Sequence, residues 1–407
     1  MRPQSLRILL PVSSAGLVAS LPVFFIACDY LLIDKTKVVT ARFIAIWIVL
    51  GVLGSRSRRI SILRQPLVCL CFLGFLSLYY VNWALMPKGT SIDDLMLAYS
   101  VANAIIPFIF GSLFERRDIR IFFVVIALWG TLLAALVLVG YIANAGSETM
   151  IDRFTVGESL NPITQSFVIG FVLVVLYSEI LTKSRYRSVP AMAILLFTML
   201  LGGSRGPVIA LLAALSMMTF FTQRTSRKIF AILLIAVSLV IIPMYLPETT
   251  QERYFSEERW LTTRTEEGMP LRIERATLAL ELWLQAPILG AGTSENELVY
   301  YSHNLIIQIL LEMGVIGLVL FLSILIPPLL NFFRSLRIGG RAEWDISAFT
   351  GLLVYCLIEA QVSGTYMNLN LLWFSMGILT AWPQIIPSSG RAEASTLPHV
   401  YARGVRS

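Results

Sequence analysis

The sequence predicts an all-α, polytopic integral membrane protein with about twelve transmembrane helices. One large outer loop lies between the ninth and tenth, and residues 1–407 form a single membrane domain. Three observations carry this. The chain is 57% hydrophobic and only 14% charged, with a mean hydropathy of +0.76, which is too apolar for an ordinary soluble enzyme. Long apolar runs recur from end to end, separated by short basic clusters. One long polar segment, 249–304, interrupts the pattern.

Taken in order, the apolar runs fall at about 9 to 32, 38 to 54, 66 to 86, 93 to 113, 119 to 143, 164 to 181, 188 to 204, 206 to 222, 229 to 247, 304 to 330, 345 to 362 and 367 to 385. Each is near the length that crosses hydrocarbon, and the shorter ones suit a tilted or broken helix. Arg2 and Arg7 precede the first run without a small-residue cleavage site after it, so it reads as a retained helix rather than a removed signal peptide. Gly202-Gly203-Ser204-Arg205-Gly206-Pro207 divides the seventh run from the eighth with the residues of a tight break. Pro327-Pro328 predicts a kink in the tenth.

The basic clusters set the orientation. With the N-terminus inside, the inner connections receive Arg56, Arg58, Arg59 and Arg64; then Arg116, Arg117 and Arg120; then Lys183, Arg185 and Arg187; then Arg224, Arg227 and Lys228; then Arg334, Arg337 and Arg341. Positive residues favour the cytoplasmic side, so both termini lie inside and the 249–304 segment outside. The net charge of +7 is therefore topological, not a footprint for nucleic acid. The four cysteines are scattered, with no spacing for a disulfide framework or zinc site. His399 falls in the inner tail and receives no role.

Arg205 stands apart from that pattern. It is an isolated cation at an otherwise uncharged outer turn, where it opposes the positive-inside bias. A snorkelling arginine in a minimal hairpin is the alternative reading. The outer segment adds Arg253, Arg259, Arg264, Arg272 and Arg275, and closes with Ser302-His303-Asn304 before the next apolar run. Within it, Pro270 opens a helix whose apolar side holds Leu271, Leu278, Leu282 and Trp283, and Pro287 with the glycines of Ile288-Leu289-Gly290-Ala291-Gly292 ends it. Arg272 and Arg275, three apart, share a helical face and form a candidate clamp for a diphosphate. An interfacial helix whose cations touch lipid headgroups is the competing account.

His303 is one of only two histidines in the chain, and its position makes it the first candidate for proton transfer near neutral pH. Asn304 is placed to cap the helix that follows. Glu312, buried by pattern, suits a pairing with a cation or donor, and Glu359 is a similar but weaker candidate. Neither forms a metal set. The chain has no nucleotide loop and no dinucleotide fingerprint. An enzyme working on the outer face would draw its driving force from an already activated substrate.

Arg205 in Ser-Arg-Gly, Arg272 ahead of Pro287-Ile288-Leu289-Gly290-Ala291-Gly292, His303-Asn304, and Glu312 with Gly314 and Gly317 together resemble the O-antigen ligase and Wzy-like polymerase superfamily. The likeness is strongest over residues 200 to 325. It implies an inverting transfer, independent of metal and cofactor, at the periplasmic face of the bacterial inner membrane. The donor would be a glycan on undecaprenyl diphosphate, and the acceptor lipid A-core or a second lipid-linked glycan. By the same resemblance Arg205 and Arg272 hold the diphosphate, His303 activates the acceptor hydroxyl, and Arg275, Arg264, Asn304 and Glu312 line the substrates. Ligase and polymerase both remain open at this point. A transporter or flippase, the reading of a different class, would line the middle of several helices with ionisable residues. The unusual charges here concentrate instead in the outer segment and at Arg205.

Overall fold

A computed structural model describes residues 65–85, 104–114, 116–144, 162–183, 186–221, 225–255, 269–292, 302, 304–338, 343–362 and 370–385. They fold into helices α1 (Pro66–Leu85), α2 (Ile106–Leu113), α3 (Arg116–Asn144), α4 (Pro162–Lys183), α5 (Val189–Leu201), α6 (Arg205–Phe221), α7 (Thr225–Met244), α8 (Glu248–Phe255), α9 (Met269–Gln285), α10 (Leu305–Ile338), α11 (Glu343–Val362) and α12 (Asn370–Ile385).

The all-α class holds, but the count of about twelve spans does not. Among the described residues three helices are long and apolar enough to cross a membrane: Phe122–Ala143, Gln165–Lys183 and Leu305–Asn331. The reason is geometric. At a rise of 1.5 Å per residue, α5 with 13 residues and α6 with 17 reach only about 20 and 26 Å, against a hydrocarbon core of about 30 Å. Apolarity marks a run in the sequence, whereas the turn at Gly202–Ser204 ends the helix before it gains that length. The runs at 9 to 32 and 38 to 54 lie outside the described residues.

The outward surface is that of a membrane-embedded protein. Val124, Leu128, Leu132, Leu136, Val139 and Ile142 are exposed along one side of α3, recurring at the spacing of a single helical face. A stripe of that length facing water would be a large apolar liability; facing lipid it costs nothing.

Helix α11 occupies the centre, packed against α4, α6, α10 and α12. Around Trp373, which is fully buried, Phe72, Phe75, Phe108 and Phe321 close a cluster joining α1, α2, α10 and α12. The α2–α12 crossing is closer still, because it meets glycine from both sides. A Cβ on Gly111 would strike the Phe374 carbonyl, and one on Gly377 would strike that of Phe108.

The directions of α4, α6 and α11 position the site. Ser166 donates to Met199 O, at the end of α5 nearest the Gly202–Ser204 turn, whereas Tyr177 pairs with Thr219 far along α6. Helices α4 and α6 therefore run the same way. Tyr355 donates to Phe167 O at 3.2 Å, and Gly351 faces both Val174 and Met218, so α11 runs against them. From that shared level Val362 lies about 17 Å along α11 and Arg205 about 20 Å along α6 in the same direction. The end of α11 and the start of α6 thus meet at one end of the bundle.

Candidate functional site

The site region begins with a break in a membrane helix. Inside α10, Gly314 takes φ 63° and ψ −163°, a conformation reached essentially by glycine alone. A break of this kind strands carbonyls before it and N–H groups after it, and hydrocarbon offers them no partner. The segment after α9 supplies them. Val315 and Ile316 donate to Pro287 O and Ile288 O at 3.0 and 3.3 Å, and Ala291 donates to Leu311 O at 2.7 Å. Asn82 of α1 completes the seam, donating to Glu312 O at 2.8 Å and to Leu289 O at 2.9 Å.

This explains why the sequence needs glycines on both sides. A Cβ on Gly290, which has φ +82°, would lie 2.5 Å from the Glu312 carbonyl carbon, and one on Gly314 would lie 2.6 Å from Gly290 N. The Pro287–Gly292 motif and the Glu312–Gly317 motif are two halves of one joint. Helix α9 is locked beside it, where Ala279, Leu278 and Leu282 pack on Leu311, Ile307 and Ala291.

Below the joint, the first turns of α10 form a polar chain. Asn304 accepts from Ile306 N and Ile307 N, each at 3.0 Å, so its amide oxygen caps the helix as the sequence suggests. Ser302 donates through Oγ to Gln308 Oε1 at 2.9 Å and through its backbone N–H to the same atom at 3.2 Å. Gln308 in turn donates through Nε2 to Glu312 Oε1. Both chain neighbours of position 303 are thereby fixed. His303 itself, like Arg264, lies outside the described residues.

The second half of the site is at the meeting of α6 and α11. Gly203, at φ +64°, lets the chain turn between α5 and α6. Tyr254 of α8 donates to Leu200 O and Ser204 O at 3.2 and 3.3 Å, tying the turn down. Arg205 opens α6, half-buried. Arg272, in the first turn of α9, donates through Nη1 to Val362 O at 3.0 Å. That carbonyl belongs to the last turn of α11, where unpaired carbonyls and the helix dipole favour a cation. Arg205 and Arg272 are thus both attached at the same end of the α6–α11 pair. Arg275, one turn further along α9, is half-buried.

Between α4, α5, α6 and α7 lies a cavity of about 430 Å³. Leu173, Leu196, Leu212 and Leu234 are typical of its walls, and Tyr177 lines it far from the turn. Arg205 is the single charged residue on its lining among the described residues. From Arg205 to Leu215 the lining follows α6 for about 15 Å. An elongated apolar chamber that begins at a guanidinium suits an amphiphile with an anionic head and a hydrocarbon chain.

Several of these groups are not singled out by the sequence pattern. Asn82 is a lone amide in an apolar run, and in a membrane helix such a residue signals an interhelical hydrogen bond. Gln308 stands four residues before Glu312, the spacing at which helical side chains meet. Among the described residues no group of three or more His, Cys, Asp or Glu is arranged to hold a metal ion.

Comparison with known proteins brings the geometry to a family. No curated protein matches the chain. Residues 190–322 match the family model described as O-antigen ligase, Wzy_C. The matched stretch contains the α5–α6 turn, Arg205, most of the apolar cavity, Arg272, the glycine joint and the polar chain of α10. This membrane-embedded protein therefore carries a domain of the O-antigen ligase family over residues 190–322.

Proposed function

We propose that the protein is an inverting, metal-independent glycosyltransferase that moves a glycan from undecaprenyl diphosphate to the sugar of lipid A-core. The 249–304 segment then faces the periplasm of a bacterial inner membrane, with both termini cytoplasmic. The observation that carries this reading is the apolar cavity with Arg205 at its end. Its volume falls in the range of small-molecule sites, and its walls fit a prenyl chain while Arg205 fits the attached diphosphate.

In this mechanism the acceptor hydroxyl attacks the anomeric carbon as the glycosyl–phosphate bond breaks. The electron pair of that bond leaves on the lipid diphosphate, where Arg205 and Arg272 stabilise the developing charge. His303 takes the hydroxyl proton. Arg275 and Arg264 contact the diphosphate or sugar. Asn304 and Glu312 act through the first turns of α10, which they help to order. No cofactor is required, because the leaving group already makes the donor reactive.

The test uses the purified protein in lipid nanodiscs with a single-repeat glycan on undecaprenyl diphosphate, with and without lipid A-core. Product size is read on a gel beside a His303→Ala variant. One-step transfer that requires lipid A-core, lost in the variant, is the expected result. A ladder growing from donor alone would replace ligation with polymerisation of lipid-linked repeats. Absence of either product with a matched donor would overturn transfer chemistry and favour a transporter.

A further inference from the structure

The turn that carries Arg205 is rich in the residue least able to hold a shape. Gly202 and Gly203 precede Ser204, Gly206 follows Arg205, and Gly203 stands at φ +64°. Backbone without Cβ atoms has the most conformational freedom to lose on ordering. The turn's own hydrogen bonds, from Gly202 N to Met199 O at 3.3 Å and from Gly203 N to Leu200 O at 2.9 Å, both end on α5. Neither fixes the direction in which α6 sets out with Arg205.

A tie across the turn comes from the outer segment. Tyr254 of α8 places its hydroxyl between Leu200 O at 3.2 Å and Ser204 O at 3.3 Å. Those carbonyls stand on opposite sides of the turn, so a single side chain clasps it. The start of α8 is itself anchored, with Gln251 donating through its backbone N–H to Pro247 O at 2.9 Å and through Nε2 to Leu246 O at 2.8 Å. The ring of Tyr254 packs on the small cluster of Val137, Leu200, Leu201 and Leu246, and it lines the same apolar cavity as Arg205. A ring that only covered this cluster would do so equally well as phenylalanine. The hydroxyl is the part that packing does not explain.

We propose that Tyr254 is a positioning residue that sets Arg205 for the anionic head of the lipid-linked donor. The proposal rests on the reading of Arg205 as a diphosphate-binding group, and it brings α8 into the donor pocket. The tyrosine transfers no proton. It acts through the backbone: with the turn clasped, the guanidinium is held at the head end of the chamber, and an arriving diphosphate meets a prearranged partner.

Two readouts on the full chain in detergent test this, each comparing the wild type with Tyr254→Phe, which keeps the ring and removes only the hydroxyl. The first needs no ligand: hydrogen–deuterium exchange of the peptide spanning residues 200–206. Loss of the clasp is expected to speed exchange at Gly203, whose N–H shares the Leu200 carbonyl with Tyr254, by about three- to tenfold. Unchanged exchange would overturn the positioning role. The second readout is titration with undecaprenyl diphosphate and with undecaprenol, which carries the same chain and no anion. Tyr254→Phe is expected to weaken the diphosphate about three- to tenfold and undecaprenol less than about twofold. In an Arg205→Gln background the same change should alter diphosphate binding less than about twofold. Equal losses for the two lipids, or an undiminished loss without the Arg205 charge, would show that Tyr254 serves the packing of the chamber and would sink the proposal. If the wild-type chain binds both lipids equally well, the diphosphate reading of Arg205 falls and the proposal with it, while the exchange result still decides whether Tyr254 holds the turn.

Discussion

At the residue scale, Gly314 shows how one backbone conformation can govern a site made by other residues. Its φ of 63° and ψ of −163° cost a side-chain-bearing residue about 1–3 kcal/mol before any clash is counted. Gly314→Ala adds a Cβ against Ile288 and Gly290, so the Pro287–Gly292 segment would have to leave the joint. The expected outcome is a lowered unfolding temperature in detergent together with loss of transfer. A variant as stable and active as the wild type would show that the joint does not position the site. Asn82 gives a second test, since its amide bridges the same joint from α1. Asn82→Leu strands two carbonyls and should destabilise the protein by about 1–3 kcal/mol, read as a shift of the thermal transition. The sequence reveals such residues unequally. The Asn304 cap was legible because it binds Ile306 and Ile307, its own near neighbours. The partner of Arg272 was not, because Val362 stands 90 positions away, and no local pattern reports that distance.

Helix termini are a matter of elements, and here the sequence misleads in a consistent direction. Apolar runs mark where lipid or core will be met, and α3, α4 and α10 are long enough to convert that into a crossing. Elsewhere glycine and proline end the helix early, so hydropathy overstates length; α5 and α6 are the clear instance, parted by the turn that presents Arg205. Pro270 and Pro287 bracket α9 as read from sequence because proline acts on its own helix. The α2–α12 contact needed three dimensions. Gly111 and Gly377 face backbone carbonyls of the opposite helix, a pairing that sequence spacing leaves invisible. Gly377→Leu should force α2 and α12 apart and open the aromatic cluster around Trp373. The fluorescence of Trp373, isolated in a background with the other tryptophans replaced, should shift to the red. An unshifted spectrum would mean that the crossing tolerates the extra volume.

On the scale of the whole molecule, the proposed function has the cavity and the arginines divide the work of holding an amphiphile. The four helices that wall the cavity contribute apolar side chains, while the guanidinium of Arg205 stands where the chain of α6 begins. Head and tail should therefore be separable by mutation. Leu212 lies two turns from Arg205 along α6 on the cavity lining, so Leu212→Trp narrows the chamber without altering charge. Each buried methylene of a prenyl chain is worth about 0.8 kcal/mol, and excluding two or three of them should raise the KM for an undecaprenyl-linked donor by tenfold or more. A donor with a two-isoprene tail never reaches that depth, and its KM should stay within about twofold. Arg205→Gln acts on the diphosphate and should weaken both donors alike. Paired titrations of the long and short donors against the two variants separate the contributions. Should Leu212→Trp penalise both donors equally, the chamber is a packing defect and not the seat of the lipid chain. A selective loss would make membrane burial itself part of recognition, with the bundle reading the tail and Arg205 reading the charge.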